Sequence, residues 1–231
     1  MNQNNFEKAK THFDRGVNFF NNFEYDLSEK EFLFCLELVP DRLSAVSNLI
    51  KIYIAKEDTI KLYDFLKRFN HIKHKKEVQL GIAYSDYFNN KYDNSIKICN
   101  NLSSFSELEL EALILLAKNY IKKKEFLISL KIYKKILLKK KDFEIYFNIG
   151  NLFFELGKTR QAYYFFKKSN NLNSEHKSTL WNMSLCLLRL KDLTKGFQLY
   201  ETRWLKKNAE KKRYTNIPLA TDISQVFYKK I

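Results

Sequence analysis

Apolar residues recur at helical spacing along nearly the whole chain, in stripes separated by short polar breaks. The clearest stretch, IYFNIGNLFFELGKTRQAYYFFKKSNNLNS from Ile145 to Ser174, predicts two amphipathic helices joined by a tight turn. The first places Gly150 between large residues, and the second places Ala162 likewise, followed by Phe166. An earlier stretch, FDRGVNFFNNFEYDLSEKEFLFCLELVP, sets Gly16, Ser28, Phe32 and Pro40 in the matching slots.

The two slots keep step along the chain. The small-residue slot of the first helix falls at Gly16, Ile50, Ala83, Ala117, Gly150 and Ser184, with increments of 34, 33, 34, 33 and 34. That of the second helix falls at Ser28, Leu62, Ser95, Ser129, Ala162 and Gly196, with the same increments. Antiparallel helices approach to about 8 Å only where a side chain is small, so each hairpin wants Gly, Ala or Ser at its crossing. Four residues after the second slot comes Phe32, Leu66, Cys99, Tyr133, Phe166 or Tyr200, one turn along the same face, to fill the space the small residue leaves. A lone hairpin cannot bury that stripe, so copies must stack. Six copies are expected, at 9–42, 43–75, 76–109, 110–142, 143–176 and 177–210, within a repeat domain spanning 1–210. In the second, Ile50 and Leu62 replace both small residues, so its helices should sit apart or shifted. The third is ambiguous in register around Gly81–Tyr87.

End signals agree with this division. Ser106 with Glu109 reads as a capping box opening the fourth hairpin. Asp58 and Asp192 precede second helices as N-caps, and Pro40 marks a helix end. Behind Pro218, Asp222 with Ile223, Val226, Phe227 and Ile231 predicts a short amphipathic helix in a basic tail, 211–231, that caps the array or orders only with a partner.

Composition narrows the class. Five Gly and two Pro are too few for a fold of many strands and turns, and no run of about 18 apolar residues predicts a membrane span. The N-terminus lacks a secretory pattern, and three widely spaced Cys do not suggest a disulfide framework, so a cytoplasmic setting is expected. Cys35, Cys99 and Cys186 fall on core stripes without a nucleophile-like arrangement, and His71 and His74 at i, i+3 lack a third metal ligand. No phosphate-binding glycine loop or zinc-site spacing occurs. No enzyme, cofactor or metal is therefore expected. The net charge of +15 is uneven: residues 1–100 carry 15 basic and 14 acidic side chains, residues 101–231 carry 26 and 12. That asymmetry fits an acidic partner, a nucleic acid or an anionic membrane face, or a solvated face enriched by AT-rich codon usage.

The pattern resembles the tetratricopeptide repeat (TPR) family over roughly residues 9–210. The resemblance implies an all-α, right-handed α-α superhelical solenoid of about six helical hairpins, with a short C-terminal capping helix and first helices lining a concave groove. On that register Phe13, Asn48, Lys51, Lys118, Lys122, Phe147, Asn148, Asn151, Trp181, Asn182 and Arg189 point into the groove. Asn amides both donate and accept, so they can grip the backbone of an extended peptide. Asn148 and Asn182, at one slot of successive copies, would form a short ladder, with Phe147 or Trp181 as anchors. The stretch Gly196-Phe197-Gln198-Leu199-Tyr200-Glu201-Thr202-Arg203-Trp204 is similar to one that ends the repeats of bacterial TPR–glycosyltransferase proteins, with Phe197 in place of Trp. Only about 27 residues follow Trp204, too few for a catalytic domain. The leading expectation is a non-catalytic scaffold for a protein or extended peptide. The alternatives are the substrate-recruiting arm of a glycosyltransferase whose catalytic part is missing or on another chain, and RNA or polyanion binding through the basic C-terminal half.

Overall fold

The computed structural model describes residues 3–201. The predicted tail helix and the motif residues Thr202, Arg203 and Trp204 lie outside them. The described residues form twelve α-helices and one 3₁₀ turn, with no strand. They are α1 (Gln3–Asn21), α2 (Tyr25–Leu38), α3 (Leu43–Ala55), α4 (Thr59–Arg68), α5 (Lys76–Phe88) and α6 (Tyr92–Leu102), then α7 (Glu109–Lys122), α8 (Phe126–Lys139), α9 (Phe143–Glu155), α10 (Thr159–Leu172), α11 (Lys177–Arg189) and α12 (Leu193–Tyr200). The chain divides after Lys123 into two compact units, so α7 and α8, expected as the fourth hairpin, fall on either side of the division.

Within the units the small-residue slots meet as their spacing predicts. In the first hairpin the buried Ser28 hydroxyl donates to the Gly16 carbonyl at 2.8 Å, and in the third Ser95 donates to Ala83 at the same distance. The buried hydroxyl is thereby satisfied across the hairpin. The large residue one turn on closes the remaining space. A Cβ on Gly16 would lie 2.8 Å from the Phe32 ring, and one on Gly150 would lie 2.6 Å from Phe166. Both rings are fully buried, each a gain of about 1.5–3 kcal/mol from burial.

The second hairpin lacks this device, and α3 and α4 pack less closely than the helices of the first and third hairpins. Ile50 and Leu62, both buried, stand where the other hairpins have small residues. The small residue comes instead from the next hairpin: on α5, a Cβ at Gly81 would meet Ile50 and Leu66 at 3.0 Å. Gly81 thus packs backwards while Ala83 takes the crossing slot, which resolves the register of the third copy.

The turn inside each hairpin is also repeated. Phe23, Glu57, Asn90, Lys124, Gly157 and Lys191 all have positive φ, between 53° and 71°. Glu24 N–H donates to Phe19 and Phe23 N–H to Phe20, the paired bonds of a Schellman stop. The same pair recurs at Glu57–Asp58, Asn90–Lys91, Gly157–Lys158 and Lys191–Asp192. Asp58 and Asp192 then cap the following helices, accepting from Lys61 and Lys195 N–H at 3.0 and 3.4 Å. The Ser106–Glu109 capping box does not form, because Glu109 is itself the first residue of α7 and Leu108 stands at its N-cap. Turns through Ser103 and Ser104 delay the helix, and Phe105 lies under the Lys76 ammonium, 3.8 Å from ring centre to Nζ.

Between hairpins of the first unit run ion pairs about one repeat apart in sequence. Lys56 contacts Asp26 at 2.5 Å, and Lys123 contacts Asp93 at 2.7 Å. Glu29, almost buried, takes Lys61 at 2.7 Å and Lys56 at 3.6 Å. Burial and the neighbouring Glu29 carboxylate both push the Tyr53 phenol up from its ordinary value.

Candidate binding groove

In the first unit, α1, α3 and α5 present one open groove of about 450 Å³, lined by Phe13, Leu43, Ser44, Ser47, Asn48 and Glu77. Counted back from the small slot, the lining repeats. Ser44 and Glu77 stand six residues before it, Phe13 and Ser47 three before, and Asn48 two before. These positions border the open side of the first helices, and Phe13, three before the slot, also packs on Phe32 of its hairpin partner α2, with ring centroids 5.5 Å apart. The Arg42 guanidinium sits 4.5 Å from the Phe13 ring centre, and its Nε donates to the Ser44 hydroxyl at 3.3 Å. The groove therefore offers a cation on an aromatic face, a carboxylate, two hydroxyls and an amide. Phe13 and Asn48 were expected here; Arg42, Ser44, Ser47 and Glu77 were not. The six-before and three-before spacings were the signal for Ser44, Ser47 and Glu77. Arg42, in the link after Pro40, carried none.

Lys118 lies half-buried on α7. Its neighbour Asn119 turns inward and donates to Ser95 Oγ and to the Leu115 carbonyl, both at 2.9 Å. Lys51 is exposed on α3, and Lys122 is exposed on α7.

In the second unit, α9 carries Phe147, Asn148 and Asn151, and α11 carries Trp181, Asn182 and Arg189. Asn182 Nδ2 donates to Asn151 Oδ1 at 2.7 Å, so its partner is one turn along α9 from Asn148. The Arg189 guanidinium covers Phe154, 4.4 Å from the ring centre. Phe147 packs between Phe166 and His176, with centroids at 5.8 and 4.9 Å, and Trp181 packs on Tyr200 at 4.7 Å. Both expected anchors thus have ring neighbours of their own and are half-buried rather than projecting. His176 Nδ1 lies 2.7 Å from Thr179 Oγ1, and burial among these rings lowers its pKa. Asn148 is half-buried on the same helix as Phe147.

The three thiols are buried. Burial pushes Cys99 and Cys186 up to about 12, and raises Cys35 against the opposing Arg42 charge, so all stay protonated at neutral pH. His71 pairs with Asp41 at 2.9 Å on the surface, and no group of His, Cys, Asp or Glu among the described residues could hold a metal. No described helix is long and apolar enough to cross a membrane. Of the C-terminal motif, Gly196 gives α12 its close approach to Leu188 and Tyr200 packs on Trp181, so packing accounts for both.

No family model matches the sequence, and no curated protein matches it. Solved structures do. A thermophilic TPR protein of Thermus thermophilus is 11% identical, with a TM-score of 0.67 over 78% of this chain and 99% of that one. Pseudomonas aeruginosa pilF is 11% identical, with a TM-score of 0.68 over 89% and 95%. A chain of the APC/C hetero-tetramer Cut9-Hcn1 is 15% identical, with a TM-score of 0.64 over 78% of this chain and 35% of that one. At such identities the likeness is one of fold, and it establishes an all-α array of TPR-type helical hairpins.

Proposed function

We propose that the chain is a non-catalytic scaffold that binds an extended peptide segment of a protein partner along its first helices. The observation that carries this reading is the groove on α1, α3 and α5, whose lining uses the same slots in successive first helices, Phe13 with Ser47 and Ser44 with Glu77. An extended strand presents alternating N–H and C=O groups, which Asn48, Ser44 and Ser47 match by donating and accepting. Arg42 over Phe13 suits an acidic or aromatic side chain, and Glu77 a basic one. The Cut9-Hcn1 structure, a hetero-tetramer, supports a protein as partner.

The test is capture of partners by the intact chain against a variant carrying Ser47→Ala, Asn48→Ala and Glu77→Gln. These side chains are part-exposed and line the open side of their helices, so helical content should be unchanged. Loss of the captured proteins from the variant supports the groove; an identical set bound equally well refutes it.

A further inference from the structure

The positive charge of the second unit is segregated by helix. α8 and α10 together carry Lys131, Lys134, Lys135, Lys139, Arg160, Lys167 and Lys168 and no acidic residue. Between them in sequence, α9 carries Glu144 and Glu155 and no basic one. In the first unit, α2 holds Asp26, Glu29, Glu31 and Glu37 against a single Lys30. Compositional bias toward lysine would not sort charge in this way.

α8 and α10 both pack against α9, and their apolar sides are buried: Ser129, Leu130, Tyr133 and Ile136 on α8, Ala162, Phe166 and Ser169 on α10. The opposite sides share a lysine pair. Lys134 and Lys135 correspond to Lys167 and Lys168, each 33 residues on, and all four are exposed. Apolar residues stand among these lysines. Along α8 the outward stripe is Leu127, Lys131, Lys134, Lys135 and Leu138, and α10 adds Tyr164 and Leu172. Leu138 is 88% exposed and Leu127 60%.

We propose that the outward faces of α8 and α10 dock on an anionic lipid bilayer, with the lysines at the headgroups and Leu127, Leu138 and Leu172 at the acyl boundary. Lysine stems lie along apolar surface while their ammonium groups reach outward, so this mixture suits a bilayer interface. Tyr164, with Lys168 5.6 Å from its ring centre, is of the type that favours the headgroup layer. A nucleic acid would use the lysines and Tyr164 but gain nothing from the exposed leucines, because base recognition on such a surface depends on aromatic stacking.

The intact chain is tested by flotation with phosphatidylcholine vesicles, with and without one third phosphatidylserine, and by titration with single-stranded RNA at the same salt. Binding is expected only to the anionic vesicles and should fall steeply with added salt. Changing Lys131, Lys134, Lys167 and Lys168 to Gln should weaken it by about a hundredfold or more, at several-fold per lysine. Leu138→Ser should weaken it several-fold at every salt concentration and leave RNA titration unchanged. A matched variant with Lys8, Lys30, Lys67 and Lys97 changed to Gln should bind as the parent does. The proposal is overturned by absence of binding to the anionic vesicles, by equal loss in the matched variant, or by tighter binding to RNA together with indifference to Leu138→Ser.

Discussion

Asn182 Nδ2 donates to Asn151 Oδ1 at 2.7 Å and so ties α11 to α9 across successive hairpins. Both side chains are half-buried, so the bond replaces partial rather than complete hydration. We expect Asn151→Ala or Asn182→Ala alone to cost about 1 kcal/mol, and the double variant less than the sum, with a coupling of at least about 0.5 kcal/mol in a double-mutant cycle. Strict additivity in urea denaturation would show that the two amides are solvated independently.

Gly150→Ala sets two effects against each other. Alanine in place of glycine inside a helix gains about 1 kcal/mol. The new Cβ, however, would stand 2.6 Å from the Phe166 ring, which is fully buried and has no room to retreat. Overpacking of that kind costs about 1–3 kcal/mol, so the variant should be less stable than the parent. Adding Phe166→Leu should recover part of the loss, since it removes the atoms that clash. A higher thermal midpoint for Gly150→Ala alone would place the hairpin crossing elsewhere.

The crossing slots were legible because they obey a rule that side-chain size alone expresses: small at the crossing, large one turn later, repeated in step. The turns were not. Of the six residues with positive φ inside the hairpins only Gly157 is glycine, and Phe23, Glu57, Lys124 and Lys191 have no local preference for that region. The Schellman bonds and the packing on both sides hold them there, and that context is tertiary. The Ser106–Glu109 box failed for the converse reason: the local signal is there, but α7 begins only at Glu109, with Leu108 at its N-cap. In the groove, the spacing placed Phe13 and Asn48 on the lined face, but Arg42 enters from a link where no periodicity operates. The bond from Asn182 to Asn151 was equally hidden, because slot equivalence sets Asn182 beside Asn148 as a ladder for a peptide and says nothing of bonds between the groove side chains themselves.

Those left-handed turns make a stability prediction of definite sign. Glu57, with φ of 53°, bears a steric cost of about 1–2 kcal/mol that glycine would not. Glycine adds conformational entropy to the unfolded chain, so Glu57→Gly should stabilise by a net of about 0.5–1 kcal/mol. Gly157→Lys, with φ of 71° and open space around its Cβ, should lose a similar amount. Chemical denaturation of both variants checks the pair, and the same sign of change in both would contradict the account.

Lys158 occupies the N-cap of α10 with φ −85° and ψ 63°, close to the −80° and 74° of Asp192, whose carboxylate caps α12. The backbone at 158 is thus already set for a capping side chain that lysine cannot supply. Lys158→Asp should add a hydrogen bond to the open N–H groups and place a negative charge at the positive end of the helix, for about 1 kcal/mol in total. Asp58→Ala should lose about as much by removing the bond to Lys61 N–H. Thermal melts of the two variants should move in opposite directions.

His176 makes stability depend on pH. Its ring lies between Phe143 and Phe147, and burial there lowers its pKa from the usual 6.5, with Glu144 opposing weakly. The folded chain therefore takes up this proton less readily than the unfolded chain. As pH falls through 6.5 toward the lowered folded value, the unfolded state binds more protons and stability drops; above 6.5 the contribution is intact. His176→Gln keeps a group able to bond Thr179 Oγ1 but does not titrate. The difference in unfolding free energy between parent and variant should be constant above about pH 7 and should shift against the parent between about pH 6.5 and 5. A difference that stays flat across that interval would mean that the ring is protonated equally well in both states, and that the aromatic cage around it is open to water.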